Sequence, residues 1–221
     1  MMGFVVVTLA SAVSGYWIAR PEIAGTNALY LWLWLAQLPF ALLALFFVYR
    51  SGDLKARIQP KPGDVLRGVS LAFVLVIAIW AERALLMPHG SIREAWLARL
   101  YIQMGDPLEL EKSWWLPLVI ISWAVNDELV WRTWLQGIAV KRFGNVRGIG
   151  VTTLCYAVAA IPSATLLADP TAGLNPLAVI LALAGGIAWG YVTYLTGRAT
   201  PAMLSHATLA YFTILQFRPG L

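Results

Sequence analysis

WWLPLVIISWAVNDELVWRTWLQGIAV, residues 114–140, is long and apolar enough to cross a bilayer, yet it holds Asn126, Asp127, Glu128 and Arg132 near its middle. A helix needs about 20 predominantly apolar residues to span the hydrocarbon. An ionisable side chain kept inside that layer is costly and is rarely retained without a partner or a role. The stretch therefore marks both the class of fold and the place where its chemistry belongs.

Composition agrees. Of the 221 residues 60% are hydrophobic and only 12% charged, about half the charged share of an ordinary soluble domain. With a mean hydropathy of +0.71, an all-α, polytopic membrane helix bundle is expected. The abundant Trp and Tyr suit interfacial aromatic belts. A net charge of +5 would also suit nucleic acid, but Lys and Arg gather in two short loops, 50–67 and 141–147. That distribution is a topology signal, so the bilayer is the expected partner and nucleic acid is not. Cys155 is the sole cysteine, which excludes an internal disulfide. It lies in an apolar run without a basic neighbour in sequence and reads as a packing residue.

Apolar runs separated by charged or Gly/Pro-rich loops predict seven spans, at 4–19, 28–48, 68–87, 114–140, 148–168, 176–197 and 200–217. Residues 1–221 are expected to form one membrane domain. Ala10-Ser11-Ala12 has the look of a signal-peptidase site, but the apolar run before it is short and no basic residue precedes it, so an uncleaved first helix is expected. The positive-inside rule makes 50–67 cytoplasmic, and alternation places the N-terminus inside, 88–113 outside, 141–147 inside and 169–175 outside. Within 88–113, Ser91 and Glu94 have capping-box spacing. Trp96, Leu97, Leu100, Tyr101 and Met104 follow at mixed helical spacing, predicting a short amphipathic connector on the membrane surface. His89, between Pro88 and Gly90, reads as a loop histidine.

Glu128 and Arg132 are four residues apart and share a helix face, so they pair. Asp127 is turned about 100° from Glu128. Two adjacent carboxylates do not both ionise easily in a low-dielectric site. Arg132 holds one of them charged and leaves the other for general-base work. An ion pair alone would be a structural lock; two acids and an Arg in mid-span favour a site.

Asp127-Glu128-Leu129-Val130-Trp131-Arg132 resembles the E-E-x-x-x-R motif of the CAAX-protease and bacteriocin-processing (CPBP, Abi-type) family of glutamic intramembrane proteases. Leu154 to Pro162 resembles its second motif, F-x-x-x-H, with Tyr156 for the Phe and Ala160 at the His position. Gly186 to His206 resembles the third, a G-x-x-x-G, T-G and P-x-x-x-x-H run ending H-x-x-x-N, with His206 at the histidine and Ala210 at the Asn. The protease-like core is thus expected over about 114–217. Ala182, Gly186 and Gly190 recur every fourth residue and predict a smooth face for close helix approach.

This resemblance implies an intramembrane glutamic endopeptidase in a prokaryotic inner membrane, hydrolysing a membrane-tethered peptide near the membrane surface. Asp127 would activate water, Glu128 and Arg132 would support it, and His206 would stabilise the oxyanion. No cofactor or metal is implied. The departures are as informative as the matches. Asp is a methylene shorter than Glu, Ala160 neither binds water nor moves a proton, and Ala210 donates nothing to an oxyanion. The site therefore reads as impaired, either by an introduced alanine or by natural divergence. The alternative is an inactive pseudoprotease acting as a membrane binding, immunity or scaffold protein. A metalloprotease is disfavoured because His89 and His206 form no H-E-x-x-H pair. A rhomboid-like serine protease is disfavoured because Ser205 and His206 diverge around a helix and no G-x-S-x-G elbow is present. A transporter would also bury acids and Arg, but inverted repeats are not evident.

Overall fold

The computed structural model describes residues 2–216, and position 217, the expected end of the last span, lies outside them. Helices account for most of the described backbone. In chain order they are α1 (Met2–Ile18), α2 (Asn27–Arg50), α3 (Leu54–Ile58), α4 (Asp64–Leu86), α5 (Glu94–Met104) and α6 (Pro107–Glu111). Then follow α7 (Leu116–Glu128), α8 (Gln136–Phe143), α9 (Asn145–Ala159), α10 (Ile161–Leu166), α11 (Leu177–Thr196) and α12 (Thr200–Tyr211). Among the described residues, four helical stretches are long and apolar enough to cross a membrane: Asn27–Arg50, Asp64–Leu86, Asn145–Leu166 and Leu177–Thr196. The protein is an integral membrane protein. The other three expected spans correspond to helical segments that are shorter or carry the charged cluster.

The 114–140 stretch departs from a plain α-helix. Between α7 and α8 the backbone takes π-helical bonding over Leu129–Leu135, with a second π segment at Phe212–Gln216. π-turns insert a residue into the helical ladder and are frequent at functional sites. Here the insertion follows directly on Asp127 and Glu128. It leaves the Thr133 carbonyl to accept from Arg57 Nη1 at 2.9 Å, a contact from α3 in the basic loop.

The α7–α8 rod is the centre of the bundle. Trp131, Val130 and Leu135 on it are fully buried and pack with Phe4, Val7 and Met203. α2 covers one side of it, α12 lies against α7, α4 and α11, and α9 bridges α8, α11 and α1. The smooth face on α11 is real. A Cβ on Gly186 would come within 2.8 Å of Thr153 in α9, and one on Gly190 within 3.0 Å of Ile149. Gly68 is tighter still, since its Cβ would sit 2.6 Å from Leu204 Cβ and 3.0 Å from the Pro201 carbonyl, neither of which swings away. Gly68→Ala is expected to cost about 1–3 kcal/mol by overpacking α4 on α12. A thermal melt in detergent unchanged by the substitution would refute this.

The Thr196-Gly197-Arg198-Ala199-Thr200-Pro201 run has a structural task that its sequence did not announce. Arg198 Nη2 reaches buried Asp64 Oδ1 at 2.6 Å, the Ala199 amide donates to the Arg57 carbonyl, and Thr200 Oγ1 donates to the Ile58 carbonyl. These bonds tie the start of α12 and the turn before it to loop 51–63 and to the first residue of α4.

Two expectations for 88–113 are corrected. The Ser91 capping box does not form. The helix begins at Glu94, Ser91 Oγ makes no hydrogen bond among the described residues, and Glu94 Oε2 instead accepts from the Gly90 amide. Gly90 has φ +78°, a left-handed turn that brings its amide and His89 Nδ1 to the Glu94 carboxylate. Secondly, α5 is more than a surface connector: Leu97, Leu100, Tyr101 and Met104 line the internal cavity described below. It is held there by tertiary bonds that periodicity does not encode, Tyr30 Oη to the Met104 carbonyl at 2.6 Å and Asn175 Nδ2 to the Trp96 carbonyl at 2.8 Å. Arg99 also pairs with Asp169, whose carboxyl is pushed down to about 2, chiefly by hydrogen bonds from the Thr171 hydroxyl and amide.

Candidate active site

A cavity of about 520 Å³ runs between the helices, walled mainly by apolar side chains of α1, α2, α4, α5, α11 and α12. Asp127, Tyr156, Ala160, His206 and Ala210 all line it. Glu128 and Arg132 do not; they sit behind its wall, fully buried. Positions on α7, α9 and α12 that are far apart in sequence thus meet around one space.

Glu128 is held by cationic or ionisable partners. Its Oε2 lies 3.3 Å from Arg132 Nε, and its Oε1 lies 2.9 Å from His206 Nδ1. The expected Glu128–Arg132 pair is therefore present, although π-helical backbone lies between its members. An ionised carboxylate only accepts, so Nδ1 is the protonated nitrogen of His206. The Arg132 guanidinium makes no hydrogen bond among the described residues and lies 5.3 Å from the centre of the Tyr156 ring, over its face. A cation over an aromatic face is attracted by the ring quadrupole.

Asp127 has a different set of neighbours. Tyr156 Oη donates to its Oδ2 at 2.7 Å, and Gln37 Nε2 donates to its Oδ1 at 3.1 Å. His206 Nδ1 is 3.9 Å from Oδ2, too far for a hydrogen bond.

His206 is fixed by two tryptophans. Trp189 stacks on it with ring centres 4.0 Å apart, and Trp123 meets it edge-on at 5.4 Å. Trp189 Nε1 also donates to Ser205 Oγ at 3.1 Å, which gives Ser205 a packing role. Sequence reading missed Gln37, Trp123 and Trp189. Gln37 had a usable signal, as a lone amide within an apolar span, and Trp123 lies four residues before Asp127 on the same helical face. Trp189 sat inside the quoted third segment without being singled out.

Asp127, Glu128 and His206 offer ligand atoms all within 4.8 Å of one another, a spacing that would suit a cation. Arg132 already supplies a positive charge against Glu128, however, and His206 Nδ1 is engaged with the same carboxylate. The donor set is therefore better matched to an internal charge network than to a divalent ion. His89 is remote from it, exposed beside Glu94. Cys155 is partly buried and packs against the core.

Fold and cavity together define a helical membrane protein with a buried ionisable centre beside an apolar cavity. Residues 109–212 match the family model described as Rce1-like, type II CAAX prenyl endopeptidase, a model of the CAAX-protease family of intramembrane endopeptidases. No curated protein and no solved structure matches the chain. The match contains Asp127, Glu128, Arg132, Tyr156, Ala160, His206 and Ala210; Gln37 comes from outside it.

Proposed function

We propose that this protein is an intramembrane endopeptidase in which Asp127 activates water for attack on a membrane-tethered peptide. The observation that carries this reading is the division of the acidic pair: Asp127 faces the cavity, while Glu128 is turned away into an ion pair. The water oxygen bonds to the scissile carbonyl carbon as its proton passes to Asp127. The proton then goes to the amide nitrogen as the C–N bond breaks. Glu128 and Arg132 hold the end of α7 and orient His206. In its imidazolium form His206 donates from both nitrogens, Nδ1 to Glu128 and Nε2 to the developing oxyanion. The membrane domain spans the chain, with its protease core over 114–217, seven crossings and a cytoplasmic N-terminus set by the basic 50–67 loop. A prokaryotic inner membrane suits this topology, and leader peptides, sorting tails and bacteriocin-like precursors suit an apolar cavity as well as prenylated ones do.

A pseudoprotease with a binding or scaffold role is the second reading, favoured by Ala160 and Ala210, which put two methyl groups on the cavity wall where the family carries polar groups. Both are tested by reconstituting the protein in liposomes with membrane-tethered reporter peptides. Cleavage insensitive to chelators is expected. Ala160→His/Ala210→Asn is expected to cut at least as fast, since each substitution adds a polar group to the wall. If neither the parent nor the double variant cuts a peptide that the protein binds, the scaffold reading replaces the protease one. Loss of cleavage on chelation would instead assign Asp127, Glu128 and His206 to a metal.

A further inference from the structure

The cavity raises a question that the four proposed site residues leave open: what holds the water-activating carboxylate, given the methyl group at position 160. We infer that Tyr156 does so, a positioning residue whose phenol performs on Asp127 the task that an imidazole at 160 would perform. The inference rests on the protease reading above and extends it to a residue where the family motif has only an aromatic ring.

Three observations carry it. Tyr156 Oη lies 2.7 Å from Asp127 Oδ2, the shortest side-chain contact that Asp127 makes, and both side chains line the cavity. The Tyr156 ring cannot turn freely, because Trp131 meets it edge-on with centres 5.2 Å apart and the Arg132 guanidinium covers it at 5.3 Å. Tyr156 and Ala160 line the same cavity four residues apart, at the end of α9, so a side chain at 160 would share that wall with the phenol.

The chemistry of the donors matters as much as their distance. Glu128 faces the Arg132 guanidinium and the His206 ring, and is turned away from the cavity. Asp127 is held by two neutral donors, one on each oxygen: Tyr156 on Oδ2 and Gln37 on Oδ1. Each carboxylate oxygen accepts at two lone-pair sites, so one on each remains for a water. Asp127 is thus oriented by hydrogen bonds from uncharged groups, with His206 Nδ1 farther away, 3.9 Å from Oδ2. In the reaction the proton gained by Asp127 comes from water and leaves with the amine; Tyr156 keeps its own proton throughout. The shorter side chain of Asp, compared with Glu, is matched by a phenol that reaches farther than the Phe of the motif.

The test is Tyr156→Phe, which keeps the ring under Arg132 and removes the hydroxyl alone. In liposomes, kcat on a membrane-tethered peptide is expected to fall about 10²-fold, the scale seen when a reacting group is misplaced by about 1 Å, with KM little changed. Adding Ala160→His to Tyr156→Phe is expected to restore most of the loss, while Ala160→His alone gains little because the position is already served. A purely structural role predicts no such rescue. Loss without rescue, or loss that tracks a lower melting temperature, overturns the inference. So does a Tyr156→Phe variant as fast as the parent; if Asp127→Asn is then still inactive, the protease reading survives without Tyr156. If no form cuts, the protease reading falls and takes this inference with it.

Discussion

Asp127→Asn is expected to lower peptide cleavage by about 10²–10⁴-fold, the contribution usual for a positioned general base. Asn is close in size to Asp, so the apolar packing around α7 is preserved, and its amide oxygen still accepts from Gln37. The group loses the negative charge, the capacity to take a proton and the oxygen that accepts from Tyr156 Oη. Removing charge from the cavity face also leaves the Glu128–Arg132 pair intact, because that pair lies behind the wall. A drop in kcat with an unchanged melting temperature would therefore identify chemistry and not folding. The measurement is the initial rate on a membrane-tethered fluorogenic peptide, read beside a thermal melt in the same detergent. An Asn variant that cuts as fast as the parent would remove Asp127 from the reaction.

Arg132→Ala is expected to act on the fold itself. Both members of the Glu128–Arg132 pair have side chains with 0% exposure, and their charged atoms lie 3.3 Å apart. Exposed ion pairs contribute about 0–1 kcal/mol, since water screens them. Breaking a buried pair from one side costs about 3–5 kcal/mol, because the remaining charge stays desolvated without compensation. Loss of the guanidinium also removes its contact with the Tyr156 face and loosens His206 through Glu128. Activity should fall together with stability. Glu128→Gln combined with Arg132→Gln should recover part of the stability, as neither charge is then stranded, but not the activity. Unfolding by steric trapping or denaturant in detergent checks both statements. A loss no larger than that of an exposed pair would show that water reaches the pair.

Much of this architecture is legible in the sequence. Length and hydropathy mark a membrane helical bundle because hydrocarbon leaves backbone groups no partner outside the helix. The four-residue spacing of Glu128 and Arg132 sufficed to pair them. The Ala182, Gly186, Gly190 repeat announced a close helix face, and α9 does press on it. The capping box gave way to a bond from the Gly90 amide to Glu94, in a turn whose geometry a four-residue pattern does not specify. The amphipathic pattern of α5 was visible, but Leu97, Leu100, Tyr101 and Met104 on it line an internal cavity. Periodicity reports that a face is apolar and says nothing of what covers it.

The amino-acid order determined that ionisable groups stand inside a membrane span, and that their spacing resembles a protease motif. Only the tertiary structure decided which acid faces the cavity and which is locked behind it. It also brought Gln37 and Tyr156, from helices before and after α7, to the two oxygens of Asp127. The physical reason is that a buried carboxylate takes its character from whichever donors lie within about 3 Å, and those donors are set by helix packing across long sequence separations. The cluster at 127–132 is thus written in the sequence as a cost; its division into a working acid and a supporting one is written in the fold.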